Sequence, residues 1–305
     1  MIFHDTVAVS TMSFEQNASP EKKLELEVFA VSVGGELRKG ETTHINQDRF
    51  IADAENALFA VFDGMGGENG GDIAAEIARR ITTEKLSALP ENLSDDELKE
   101  YMKSALETAN AEILKKAAED PTLKEMGSTA SVLKLYRNAE GKLRRVIGHI
   151  GDSRIYVKRK DSDEITALTL DDKTILRLEL EKNGKEAAFA LQKKFNEATK
   201  AEDLSATELE TFNQRNVIEK ALGMTSPTFD ISVEDADEDD EHIITSDGVH
   251  DDNTDSEMAA IIKKGGLRSV PKQLEWAAAA RQKEGSFRSK KYLDDITIVY
   301  EKRTA

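Results

Sequence analysis

Five times in this chain a short apolar run meets an aspartate at its end, and that repeated junction constrains the fold more than any bulk property. Leu58-Phe59-Ala60-Val61-Phe62 stops at Asp63, Val146 to Gly151 at Asp152, and Ile243-Ile244-Thr245-Ser246 at Asp247. Asp294-Asp295 directly precedes Ile296-Thr297-Ile298-Val299, and Asp48 opens Arg49 to Ala52. Such runs read as strands. A carboxylate at the edge of a buried strand is partly desolvated, so its charge is costly unless something compensates it. Clustered acids without matching Lys or Arg are compensated most simply by a divalent cation. Oxygen-only donors point to magnesium, manganese or calcium. Gly64, Gly66, Gly67, Gly151 and Gly248 beside these acids allow tight turns and let backbone carbonyls approach an ion. Any single Asp-Gly is more often only a turn. Five junctions of one kind are harder to dismiss, although spacing alone does not make them converge.

The rest of the chain alternates strands and helices. A strand is expected over 26–33, a helix from about Gly71 with Ile73, Ile77 and Ile81 on one face, and further strands over 129–136, 143–150 and 154–157. Ser94 and Glu97 form a capping box for a helix that stops near Asp120-Pro121. Residues 172–220 are rich in Lys, Glu and Ala and read as a helical insertion. Strands over 229–233, 242–245 and 296–300 and helices at about 254–264 and 270–284 complete the pattern. Trp276 is expected to pack in the core, and the acidic run Asp235 to Glu241 to be a solvated loop. His4, His149 and His242 read as ordinary surface or strand residues, and His250 as a bystander between Asp247 and Asp251.

Composition narrows the function. With 42 basic and 59 acidic side chains the net charge is −17, which argues against a nucleic-acid partner, since phosphate-backbone binding needs a basic surface. No apolar run approaches the ~20 residues of a bilayer-spanning helix. Residues 1–23 are polar and aperiodic, a loose or disordered leader without a secretory h-region. There is no cysteine, which excludes disulfides, thiolate zinc sites and cysteine nucleophiles.

Read in order, these segments resemble the metal-dependent Ser/Thr protein phosphatases of type 2C, in their bacterial-type form, from Gly40 to Tyr300. Asn46-Gln47-Asp48, Val61-Phe62-Asp63-Gly64-Met65-Gly66-Gly67, Gly127-Ser128-Thr129-Ala130 and Gly151-Asp152-Ser153-Arg154-Ile155-Tyr156 carry the first half of the likeness. Leu168-Thr169-Leu170-Asp171, Ala221-Leu222-Gly223, Thr245-Ser246-Asp247-Gly248-Val249 and Asp294-Asp295-Ile296-Thr297 carry the second. The resemblance implies an α+β fold, a four-layer αββα sandwich of two antiparallel sheets flanked by helix pairs. It places a phosphatase domain over 24–301 with a helical flap insertion at about 174–216.

It also implies the site. Asp48 and Asp63 are the expected catalytic acids. Asp63 should bridge two metal ions with the Gly64 carbonyl on one of them, Asp247 and Asp294 should hold the other, and Asp48 should act close by. Asp152 and Asp251, with Asp247, match the positions that take a weaker third ion. Two magnesium or manganese ions would then activate a water that attacks phosphoserine or phosphothreonine without a covalent intermediate. The expected partner is a phosphorylated protein, and the expected setting a monomeric signalling enzyme in the cytoplasm, or in a host cytoplasm for an exported effector. Four departures stand out. Thr43 occupies the position of a phosphate-gripping Arg, for which His44 or Arg49 are the nearby substitutes. Met65 stands where some members have His, Asp172 where His is common, and Asp295 where Asn is usual. The alternative they motivate is a pseudophosphatase, a protein-binding module on the same fold.

Overall fold

The computed structural model describes residues 7–14, 24–35, 45–66, 70–214, 217–285, 287–288 and 294–303. The chain begins with β1 (Val7–Phe14), β2 (Leu24–Val33), β3 (Arg49–Asp53), β4 (Leu58–Phe62) and the short β5 (Gly64–Met65). Two long helices follow, α1 (Gly71–Leu86) and α2 (Asp95–Glu119). Next come β6 (Gly127–Ser128), β7 (Ala130–Arg137), β8 (Leu143–Ile150), β9 (Arg154–Lys158) and β10 (Ile165–Ala167). The insertion contains α3 (Thr174–Asn183), α4 (Lys185–Glu197) and α5 (Ala206–Asn213). The chain closes with β11 (Asp230–Asp235), β12 (Glu241–Thr245), α6 (Asp247–His250), α7 (Asp255–Lys264), α8 (Ser269–Glu284) and β13 (Ile296–Arg303).

Alternation along the strands builds the layers. In β4, Leu58, Ala60 and Phe62 join α1 and α2 in one core, while Phe59 and Val61 meet Val28 and Ala30 of β2 in a second. β13 divides the same way, with Val299 between the sheets and Ile296, Ile298 and Tyr300 packed with Met258, Val270 and Leu274 of α7 and α8. The result is the expected four-layer sandwich: helices, a five-stranded sheet ordered β11-β8-β7-β4-β3, a six-stranded sheet ordered β1-β2-β13-β12-β9-β10, and helices. Every pairing within the two large sheets is antiparallel. The Ser94 capping box is present, with Glu97 answering the Ser94 N–H. The insertion has a small core of its own, in which Phe212 stacks on Phe287 with centroids 5.0 Å apart. Among the described residues no helix is long and apolar enough to cross a membrane.

Four expectations change. Within the supposed leader, Val7–Phe14 is a strand antiparallel to β2, and its backbone pairs along the edge of β2. The remainder of 1–23, including His4, lies outside the described residues. On α1 the buried stripe is Ala74, Ala75, Ala78 and Ile81, with Ile73 and Ile77 only half-buried, because small residues let the helix approach its neighbours. Trp276 is 74% exposed, since it lies half a helical turn from Leu274 and Ala278, which face the sheet.

The acidic run is a solvated loop only in part: Asp235, Asp237 and Asp239 are exposed, but several of its charges are paired and Asp240 is buried. Glu238 pairs with Arg137, Asp239 with Lys160, and Asp240 is buried against Arg145 at 3.2 Å. Arg145 also meets His242 Nε2 at 3.0 Å, and His242 Nδ1 lies 2.8 Å from Glu301. His149 is likewise an interior strand residue, bonded to Ser131 Oγ and the Leu170 carbonyl. Removing one partner of a buried ion pair strands the other charge. Asp240→Ala should therefore lower stability by ~3–5 kcal/mol in urea unfolding, far more than the same change at the exposed Asp239.

Candidate metal centre

The antiparallel pairings carry the acids of each sheet to one end of that sheet. β4 is antiparallel to β7 and β7 to β8, so β4 and β8 run the same way and Asp63 and Asp152 leave their strands on the same side. β3 is antiparallel to β4, so Asp48 at its start sits at that edge too. In the other sheet Asp247 follows β12 and Asp294 precedes the antiparallel β13, which again puts both at one end. The two ends meet, because the charges felt at Asp63 are those of Asp48, Asp247, Asp294 and Asp152.

Buried hydroxyls and amides hold this edge in place. The Asp63 N–H donates to Thr129 Oγ1 at 2.9 Å, its carbonyl accepts the Thr129 N–H, and Thr129 Oγ1 lies 2.7 Å from Ser153 Oγ beside Asp152. Asn46 Oδ1 accepts the Asp48 N–H, while Asn46 Nδ2 donates to Ser32 Oγ, itself paired with Thr297 Oγ1. Gln282 of α8 clamps the second sheet's end, donating to the Gly248 carbonyl and accepting the Asp294 N–H.

The electrostatics are those of excess negative charge. Burial, then Asp48, Asp247, Asp294 and Asp152, push the Asp63 carboxyl well above its ordinary range, although part of its surface stays open to the cleft. Burial and then Asp295 do the same to Asp48, which is 2% exposed. The Thr297 and Ser246 hydroxyls stand near enough to pull Asp48 the other way. Neither Asp48 oxygen receives a hydrogen bond of good geometry, however: Thr297 Oγ1 lies 2.8 Å from Ser32 Oγ, and Ser246 Oγ accepts the Thr297 N–H. Buried acceptors without donors, gathered in an all-oxygen set, suit a hard divalent cation. Among the described residues no three His, Cys, Asp or Glu side chains already form a closed cage. The acids converge as charges without yet gripping a common point.

One cation does stand among them, and the sequence did not single it out. Lys173 Nζ lies 3.3 Å from Asp152 and 3.1 Å from Asp171. Asp171 is also forked by Arg154, with Nε and Nη2 each at 2.8 Å. Burial would raise the Asp171 pKa, but Arg154 and Lys173 hold it well below the usual carboxylate range. Burial opposes the Lys173 charge in turn, and Asp171, Asp152 and Asp251 more than restore it. Asp251 thus belongs with Asp152 around Lys173, next to His250, whose pKa burial and Arg154 push well down. His250 Nδ1 meets Thr245 Oγ1 at 2.8 Å, the structural role expected of it.

Two of the departures lose their force. Asp295 accepts the Gly35 and Gln47 N–H groups, each at 2.8 Å, one per oxygen. An asparagine has a single acceptor oxygen and would turn its NH₂ toward one of those donors. Asp172 accepts the Gly151 N–H at 2.9 Å and pairs with Lys220 at 2.6 Å, so its charge is matched. Arg49 is no free phosphate grip, since its guanidinium donates to the Asn46 and Asp48 carbonyls and flanks Glu76 at 3.6 Å. Thr43, His44 and Gly67 lie outside the described residues.

Known proteins share this pattern. The family model described as protein phosphatase 2C matches residues 39–260. Protein phosphatase PhpP of Streptococcus pneumoniae serotype 2 is 26% identical over 199 residues, which is 65% of this chain and 68% of that protein. In fold, the chain is similar to the Mycobacterium tuberculosis serine/threonine phosphatase PstP/Ppp, with a TM-score of 0.67 at 22% identity over 91% of this chain and 98% of that one. It is also similar to the catalytic domain of PstP in complex with two manganese ions, with a TM-score of 0.66 at 21% identity over 92% and 99% of the two chains. The matched segment takes in Asp48, Asp63, Asp152, Asp247 and Asp251 and covers well over half of the sequence; the chain belongs to the protein phosphatase 2C family.

Proposed function

We propose that the protein is a serine/threonine phosphoprotein phosphatase that uses two magnesium or manganese ions. The observation that carries this is the convergence of Asp48, Asp152, Asp247 and Asp294 on Asp63, with both Asp48 oxygens buried and unmatched by a hydrogen bond. Asp63, with the Gly64 carbonyl, Asp247 and Asp294, would hold the ions. When bound, such a pair makes water nucleophilic at neutral pH and offsets the charge on the phosphoryl oxygens. The chain's own part is to fix the acids. Thr129 anchors the Asp63 main chain, Asn46 orients Asp48, and Gln282 ties Asp294 to α8. No protein nucleophile is needed, in keeping with a sequence that lacks cysteine. Asp172 and Asp295 have matched partners, which leaves Thr43, outside the described residues, as the motive for a non-catalytic module. We place the enzyme in the cytoplasm as a signalling monomer, where kinases supply phosphoproteins.

The expected result is hydrolysis of a phosphothreonine peptide and of para-nitrophenyl phosphate that requires added manganese and stops in chelator. Manganese-loaded protein that turned over neither substrate would sink the enzyme reading.

A further inference from the structure

The residue that leads into the flap reaches back into the acidic cluster. Lys173 immediately precedes α3 and has only 11% of its side chain exposed. Its ammonium lies 3.1 Å from Asp171 Oδ2 and 3.3 Å from Asp152 Oδ2. Its backbone is fixed as well, donating to the Asp171 carbonyl at 2.8 Å and accepting the Arg177 N–H at 3.0 Å. Asp171 also holds the Arg154 guanidinium on both oxygens and remains the strongest partner of Lys173, with Asp152 and then Asp251 adding to it.

We infer that Lys173 is a tethered cation standing at Asp152 and Asp251 in the place of a third divalent ion, so that this protein binds two ions and not three. The inference rests on the two-ion reading above. A hard cation held at ~2.0–2.6 Å from an Asp152 oxygen would sit within a few ångströms of a like-charged ammonium already on the same carboxylate. An ammonium is a compact charge with three donors, suited to bridging two acids at hydrogen-bond distance. Because Lys173 enters α3, the same contact ties the flap to the acidic edge without metal uptake. Asp172 adds a second tie, its carbonyl accepting the Glu219 N–H at 2.8 Å from the far side of the insertion.

The test is the number of manganese ions per chain at millimolar manganese, by equilibrium dialysis and elemental analysis. Wild type, Lys173→Arg and Asp152→Asn should each bind two, since in this arrangement Asp152 holds the lysine and not an ion. Lys173→Ser should gain a third, with occupancy rising from none toward one per chain. Three ions in the wild type, a fall below two in Asp152→Asn, or a count of two in folded Lys173→Ser overturns the assignment. Should Lys173→Ser fail to fold, the wild-type and Asp152→Asn counts still decide. No manganese on the wild type overturns the two-ion reading itself, a different failure.

Discussion

Asp63→Asn should reduce hydrolysis of a phosphothreonine peptide by on the order of 10³-fold or more, the equivalent of several kcal/mol of transition-state charge stabilisation. Asp63 is where the other four acids converge, and it reaches that point through main-chain bonds to Thr129 that an asparagine keeps. The substitution therefore changes charge and not position. The same change should raise the melting temperature of the metal-free protein. Burial and four neighbouring carboxylates oppose the Asp63 charge, so a neutral amide relieves a cost that the folded state alone bears. Opposite signs in the two measurements separate loss of a ligand from structural damage. Activity within about tenfold of wild type would remove Asp63 from the centre of the chemistry.

Much of this was legible in the sequence because the signals were local. The strand over 143–150 and the helix that begins after Ser94 lie where pattern and cap place them. The five acids were legible for the same reason, each being the residue at which an apolar run stops or starts. Their convergence was not, because it follows from pairings such as Asp63 with Thr129 and from the order β8-β7-β4-β3, which spacing does not encode.

What sequence reasoning missed is long-range compensation. Asp240 sits in a run of acids that reads as solvated until Arg145, far away on β8, is brought against it. Asp295 looks like surplus charge until the Gly35 and Gln47 N–H groups are found on its oxygens. Lys173 is hardest of all, since a lysine two residues past Asp171 at the edge of a charged insertion looks like solvated surface. Only the turn that returns the Asp171–Lys173 segment to Asp152 makes it a buried cation. Trp276 errs the other way: a large apolar side chain is a good core candidate only on the helix face that carries Leu274 and Ala278.

Gly64→Ala carries the second large effect, for a reason different from the approach of a carbonyl to an ion. A Cβ at this position would fall inside the Gly71 carbonyl group and only 2.6 Å from the Gln47 carbonyl oxygen. Both obstacles are backbone, so no rotamer change can relieve them. The start of α1 and the segment before β3 must move, and these are the neighbours of Asp63 and Asp48. A displacement near 1 Å at reacting groups costs ~10²-fold in rate. Overpacking at a rigid contact costs ~1–3 kcal/mol of stability. The alanine variant should therefore show both losses, with weaker manganese binding alongside them, because the ligands are shifted and not deleted. Gly285→Ala is the control, since its Cβ would meet nothing within 4 Å, although its φ of +68° carries a strain of its own. If Gly64→Ala kept full activity and manganese affinity while Gly285→Ala did not, close packing of Gly64 against Gly71 and Gln47 could not be what holds the acidic edge in register.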